Sequence, residues 1–190
     1  MARAVGSFIV CGQRALTRMS PALLALAVVM SCTAAVAQPF NGFEPDRTPD
    51  AYMARHGGTL APAGRLEIDG RRMTCGNAPT VLDPEYGDYG AAFPGFLILN
   101  PRLFAGLATP VKLWIFSHEC AHQTVGPNEA RADCAAVQRG RDEGWLNASG
   151  LEQICEFMQP ARPDSQHFSG PLRCELMRQC FQPKKDHAGQ

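Results

Sequence analysis

The 190-residue chain carries no excess of charge of one sign. Its 18 Lys and Arg residues balance 18 Asp and Glu residues, so the formal net charge is +0 with neutral histidines. No basic stripe runs along it, and its lysine pair, Lys184 and Lys185, lies in a polar C-terminal stretch. Nucleic-acid binding needs clustered positive charge to neutralise phosphates. We therefore expect no nucleic-acid partner.

Long apolar runs are also scarce, and the clearest one lies near the N-terminus. Residues 1–37 contain three arginines and no acidic residue, then an apolar run over residues 21–30, and end in Ala-Val-Ala. This order is typical of a secretory signal peptide cleaved after Ala37. The apolar core is short of the roughly 20 residues of a membrane helix, so a membrane anchor is the weaker alternative, and a lipoprotein anchor at Cys32 is another. We expect an exported mature chain, periplasmic or secreted, without a transmembrane segment.

Cysteine is the residue type that is well represented. Removal of residues 1–37 leaves six cysteines: Cys75, Cys120, Cys134, Cys155, Cys174 and Cys180. An even number in an exported domain indicates disulfide bonds, and three bridges are expected. The spacing does not select the pairing, and a bridge between Cys120 and Cys134 is one of the possibilities.

The composition predicts one domain in the mature chain. Residues 38–65, rich in proline, glycine and charge, are predicted to be an extended N-terminal arm or a propeptide. Residues 66–182 form the predicted α+β domain, and residues 183–190 form a disordered tail. No internal repeat is present.

Short strands are predicted first. Alternation around Asp69 and Gly70 predicts a β-hairpin. Residues 79–95, interrupted by proline and glycine, predict a loop, and the apolar run at 96–99 predicts a strand.

Helices are predicted to follow. A short helix is expected after Pro101, and a long one should end at Gly126 and Pro127. The long helix is predicted to start at Thr109, which precedes a proline. The three helices after it are predicted to start at Asn128, at a capping box formed by Ser149 and Glu152, and at Gly170.

The segment 117–134 reads SHECAHQTVGPNEARADC. At about 100° per residue, His118 and His122 share one face of a helix, a turn apart. Two imidazoles so placed can bind one tetrahedral Zn²⁺. Glu119 lies beside the metal rather than on it, where it can act as the base that activates water. This His-Glu-x-x-His arrangement is that of a metal hydrolase.

A catalytic zinc needs a third protein ligand and one open position. Glu129 and Asp133 are four residues apart, on one face of the next helix. The short turn at Gly126 and Pro127 can swing that face back toward the metal. We assign Glu129 as the third ligand, and Asp133 as the residue that orients an imidazole by accepting its distal N–H.

The two cysteines within the segment point elsewhere. Cys120 falls about 200° around the helix from His118, and Cys134 about 140° from Glu129. We expect both to staple the backs of these helices to other segments.

The pattern His118-Glu119-x-x-His122 followed by Glu129-x-x-x-Asp133 resembles the zincin metallopeptidases, specifically their glutamate-zincin (gluzincin) branch. The gap before Glu129 is shorter than is usual in that branch. The resemblance implies an α+β, disulfide-stapled, zincin-like domain. It would have a short antiparallel sheet and an HExxH helix packed on an ExxxD helix. It also implies one Zn²⁺ per chain, a peptide or protein substrate, and an edge strand at 96–99 that pairs with the substrate.

Further candidate residues rest on the same resemblance. His167, Tyr86 and Tyr89 are candidates for stabilising an oxyanion, although each also fits an ordinary loop. Arg173 fits either a substrate carboxylate or a surface charge. The surroundings of Cys75 faintly resemble the cysteine switch of latent matrix metalloproteases, but disulfide pairing is favoured there.

The sequence therefore predicts an exported zinc metallopeptidase. Two alternatives stay open at this point. One is a disulfide-stapled binding protein on a catalytically degenerate zincin scaffold. The other is a zinc amidase that acts on cell-wall cross-links.

Overall fold

The computed structural model describes residues 47–183, and these form an α+β structure with a small sheet and six helices. The predicted signal peptide, the arm residues 38–46 and the tail residues 184–190 lie outside this range. Within it, no helix combines the length and the apolar composition that crossing a membrane would require.

The first described elements differ from the extended arm predicted for residues 38–65. Helix α1 spans Pro49–His56 and strand β1 spans Thr59–Ala61. Thr48 caps α1, since its hydroxyl accepts a hydrogen bond from the amide of Ala51 at 3.1 Å. The helix is tied to the domain by Tyr52, which is buried and donates to the Asp83 carboxylate at 2.6 Å. Because Tyr52 is the one buried residue of α1, the helix has no apolar stripe, and its sequence shows no helical periodicity.

The remaining strands form a hairpin and part of a four-stranded sheet. They are β2 (Leu66–Ile68), β3 (Arg71–Met73), β4 (Thr80–Leu82), β5 (Gly90–Phe93) and β6 (Phe96–Leu99). β2 and β3 pair through Asp69 and Gly70, whose φ angles of 48° and 79° are those of a type I′ turn. The predicted hairpin is confirmed.

The four-stranded sheet has the order β1-β4-β6-β5. β4 and β6 run parallel, while the other neighbours are antiparallel. The sheet is therefore mixed, and the expectation of an antiparallel sheet is wrong. The parallel pair arises because residues 83–95 leave β4, form β5 at the far edge and return as β6 between the two.

The edge strand is also not the one expected. β6 is buried along its whole length and lies between β4 and β5, so the prediction of an edge strand at 96–99 is wrong. A continuous apolar run is typical of a strand covered on both faces. The edge on that side is β5, within residues 79–95, which were predicted to be loop. Strands of three or four residues broken by glycine and proline give little periodic signal.

The helices follow in the predicted order. They are α2 (Pro101–Phe104), α3 (Thr109–Val125), α4 (Glu129–Asp142), α5 (Ala148–Met158) and α6 (Gly170–Phe181).

Two of the predicted helix caps are wrong. The Thr109 hydroxyl donates to Asp69 at 2.7 Å instead of capping α3. At α5 the cap is Asn147, whose side-chain oxygen accepts from the amide of Gly150 at 2.9 Å, rather than Ser149. The Asn128 cap of α4 is confirmed.

All six cysteines of the described range are paired, as Cys75–Cys120, Cys134–Cys180 and Cys155–Cys174. The three expected bridges are confirmed, while a Cys120–Cys134 bridge and a switch role for Cys75 are wrong. The bridges tie the segment after β3 to α3, α4 to α6, and α5 to α6. Loop-closure entropy gives each a stabilisation of about 3–4 kcal/mol.

Gly170 has no room for a side chain. A Cβ there would overlap the backbone carbonyl of Met158, which the chain passes as it enters α6. We expect Gly170→Ala to lower the free energy of unfolding by about 2–4 kcal/mol. Gly106→Ala is the matched control, because a Cβ at Gly106 meets nothing within 4 Å. Urea unfolding measures both, and equal stabilities for the two variants would contradict this packing.

Candidate metal centre

The turn between α3 and α4 brings the two halves of the motif together. α3 ends at Val125 and is followed by Gly126, whose φ of 66° lies in the left-handed region that glycine tolerates. Three residues, Gly126, Pro127 and Asn128, separate the helices, and Asn128 caps α4. The C-terminal turn of α3 therefore faces the N-terminal turn of α4, and Glu129 folds back over His118 and His122. The connection between His122 and Glu129, which is short for a gluzincin, therefore brings Glu129 next to the two histidines in this chain.

His118, His122 and Glu129 form a group that could hold a metal ion. One donor atom from each lies within 4.8 Å of the others. The two Nε2 atoms are 3.1 Å apart, and the Glu129 carboxylate lies 3.0 Å from His118 Nε2 and 3.5 Å from His122 Nε2. Tetrahedral Zn²⁺ with Zn–N distances of about 2.0–2.1 Å places its ligand atoms about 3.3 Å apart. The donor set and its spacing fit such an ion.

Each imidazole is oriented from behind. The Nδ1 of His122 donates to the carbonyl oxygen of Gly126 at 2.7 Å, which leaves Nε2 free to bind. The Nδ1 of His118 lies 2.9 Å from the Asp133 carboxylate. This contact is a charge contact rather than a well-directed hydrogen bond. The Gly126 partner is a backbone atom, which the motif pattern does not reveal.

Asp133 is held by a residue from the far end of the chain. Its carboxylate is fully buried and accepts two hydrogen bonds from Arg173, from Nε and Nη2, each at 2.7 Å. Arg173 also lies over the Trp114 ring, 5.6 Å from its centroid. A buried carboxylate needs such a partner. The interpretation of Arg173 as a surface charge is wrong, since it is only 8% exposed.

His167 reaches the same cluster from the loop between α5 and α6. Its Nδ1 lies 3.0 Å from the Asp164 carboxylate, which also accepts from the backbone amides of Gln166 and His167. Its Nε2 lies 3.2 Å from Glu129 Oε2. Of the other two oxyanion candidates, Tyr89 packs its ring against Phe157, and Tyr86 packs against the small apolar cluster around Phe96. His167 is the one with a direct contact to the donor group.

Glu119 sits next to this group without a partner of its own. Among residues 47–183, no hydrogen bond or ion pair to its carboxylate is found. Burial raises the pKa of Glu119, although the neighbouring histidines His118 and His122 act in the opposite direction. A glutamate with a raised pKa suits proton transfer near neutral pH. A cavity opens beside it, lined by both His118 and Glu119.

The charges of the cluster favour a cation at its centre. Burial alone would lower the pKa of His118, but the carboxylates of Asp133 and Glu129 outweigh it and raise the pKa to about 9. Burial of Asp133 opposes ionisation, but Arg173 and His118 hold its pKa below the ordinary value. In the metal-free protein, a proton on His118 therefore supplies the positive charge that a bound metal ion would otherwise supply.

Comparisons with protein-family models, with curated protein sequences and with solved structures found no match. The likeness to zincins stays a resemblance of sequence pattern. Function is therefore inferred from the geometry of the described residues.

Metal binding should release a proton. His118 has a pKa of about 9 without metal, so its imidazole is protonated at neutral pH and must lose that proton to bind through Nε2. We expect about one proton released per Zn²⁺ near pH 7, and less as the pH rises toward 9. Calorimetric titrations in buffers of different ionisation enthalpy measure this number.

The control is Glu129→Ala, which should weaken Zn²⁺ binding because it removes one of three ligands. A binding heat that is independent of the buffer near neutral pH would contradict the charged His118. Full Zn²⁺ affinity in Glu129→Ala would show that another residue is the third ligand.

Proposed function

We propose that the protein is an exported zinc-dependent metallopeptidase. The observation that carries this proposal is the unpaired, partly buried Glu119, which lines a cavity together with His118, one of the three donors. A structural zinc site closes all four positions with protein ligands and needs no base. Here three donors converge, and the neighbouring residue Glu119 has a carboxylate without a partner that can move protons. The three disulfides are typical of proteins folded in an oxidising compartment.

Zinc is the metal that this donor set favours. Two imidazoles and one carboxylate suit Zn²⁺ better than Mg²⁺ or Ca²⁺, which prefer oxygen ligands. Held by His118, His122 and Glu129, Zn²⁺ would supply a Lewis acid that polarises the substrate carbonyl and makes water acidic.

Glu119 is assigned the proton transfers. Its carboxylate takes a proton as water attacks the peptide carbonyl, and then gives that proton to the leaving amine. Both steps need one group that changes protonation state readily, and the raised pKa of Glu119 provides it.

His167 is assigned to the developing negative charge. Asp164 fixes its ring from the Nδ1 side, so Nε2 faces the cluster. With both ring nitrogens protonated, Nε2–H can donate to an oxyanion on the substrate and stabilise it. Arg173 acts through Asp133, and its role is to position His118.

Strand β5 offers a place for the substrate backbone. Among the described strands it pairs only with β6, so its outer edge is unpaired. Gly90 at its start lines the cavity beside Glu119. Gln123 on α3 ties the end of this hairpin down, since it donates to the carbonyl of Phe93 and accepts from the amide of Gly95. An extended peptide pairs readily with such an edge.

The base is tested by Glu119→Gln. The variant keeps the shape of the side chain but cannot accept the proton, so we expect full zinc content and a kcat lower by about 10²–10⁴-fold. Peptide-library digestion followed by mass spectrometry measures cleavage, and metal analysis measures zinc. Glu156→Gln, an exposed change on α5, is the control and should keep activity.

An active Glu119→Gln protein would contradict the mechanism. A wild-type protein that binds zinc, cleaves no peptide and cleaves cell-wall cross-links would favour the amidase instead. A protein that binds no zinc would favour the binding-protein alternative.

The oxyanion role is tested by His167→Ala. We expect kcat to fall by about 10²–10³-fold with KM and zinc content little changed, because the interaction forms only as the reaction proceeds. Gln166→Ala, its neighbour in the same loop, is the control. A fall in zinc content with His167→Ala would show instead that this ring supports Glu129.

A further inference from the structure

The cavity next to the cluster has a volume of about 600 Å³. This lies in the range of sites that hold small ligands or side chains. Its wall includes His118 and Glu119, so a group that fills it lies beside a proposed metal ligand and the proposed base.

Aromatic side chains form a continuous wall of this cavity. Tyr89 meets Phe157 edge-on with ring centroids 5.2 Å apart, and Phe157 meets Trp114 edge-on at 6.5 Å. Trp114 in turn lies 5.6 Å from the His118 ring. The wall therefore runs from the start of β5 to a metal-binding residue. Phe168, which is 50% exposed, adds a fourth ring to the lining.

The charged groups of the lining are largely occupied within the protein. Arg173 is bound to Asp133, and Asp164 to His167. Asp88 and Arg162 are exposed, so solvent screens them. Glu119 is the lining carboxylate without a partner, and it is assigned to proton transfer rather than to substrate binding. Away from Glu119, the aromatic rings offer the substrate apolar contact.

We propose that this cavity is a specificity subsite that takes a large apolar side chain, preferably an aromatic one, from a residue next to the cleaved bond. The subsite rests on the proposed peptidase function. Burial of an aromatic side chain against this wall excludes water from both surfaces and allows edge-to-face ring contacts. Small or charged side chains, such as those of alanine and glutamate, leave the wall uncovered or lose hydration without a partner.

Phe168 and Leu172 provide a matched pair of variants. Both are exposed apolar residues near the start of α6, at 50% and 45%, so truncation of either leaves the core intact. Only Phe168 lines the cavity. Phe168→Ala therefore removes part of the subsite, whereas Leu172→Ala removes a similar apolar group outside it.

The first experiment compares cleavage of peptides that differ at one position beside the cleaved bond, with Phe, Leu, Ala or Glu there. We expect kcat/KM for the Phe peptide to exceed that for the Ala peptide by about 10–100-fold. Phe168→Ala should reduce that ratio at least threefold, and Leu172→Ala should leave it unchanged. Equal rates for the Phe and Ala peptides, or equal effects of the two variants, would overturn the subsite.

The second experiment measures binding without cleavage. The same peptides are titrated into Glu119→Gln protein, with and without added Zn²⁺, and the Phe peptide should bind with the lower Kd. If binding shows this preference but the wild type cleaves none of the peptides, the peptidase proposal fails and the subsite stands. If peptides are cleaved without preference and bind equally, the subsite fails and the peptidase proposal stands.

Discussion

The buried carboxylate of Asp133 is the point on which the site depends. It lies between His118 on α3 and the guanidinium of Arg173 on α6, and it belongs to α4 itself. A fully buried charge without partners would be strongly destabilising, so these three helices must be assembled together for Asp133 to be tolerated. The same assembly fixes the ring of His118. Correct packing of the three helices therefore also sets the orientation of His118, a candidate metal ligand.

The disulfides hold these helices in place at positions next to the side chains of the site. Cys134 directly follows Asp133, Cys174 directly follows Arg173, and Cys120 directly follows Glu119. Each bridge thus fixes the backbone next to a side chain of the site while the cysteine itself points away from it. Cys134–Cys180 joins the two helices that carry the Asp133–Arg173 pair, with Cα atoms 5.2 Å apart. All six cysteines of the described range are occupied in bridges, and these bridges restrict the backbone of the candidate site.

The sequence predicts those residues of the site that lie close together along the chain. His118, Glu119, His122, Glu129 and Asp133 lie within 16 residues, and helical geometry alone decides which of them share a face. Arg173 and His167 come from 34 to 40 residues beyond Asp133, and only the packing of α5 and α6 brings them back. The same holds for the sheet. The turn residues of the hairpin predict it directly. β5 is an edge strand because it pairs with β6, and the four residues of β5 do not by themselves predict that pairing.

The charge pattern of the cluster supports the proposal that it holds a divalent cation. Three carboxylates, those of Glu119, Glu129 and Asp133, converge here, while Arg173 is the one permanent cation among the described residues in contact with them. If all three are ionised, two negative charges are left uncompensated in a poorly solvated space. One proton on His118 offsets only half of this charge. A divalent ion offsets all of it and also satisfies the Nε2 lone pairs of both imidazoles, which lie only 3.1 Å apart. Such an ion would balance the charges of the cluster, which supports the proposed metal site.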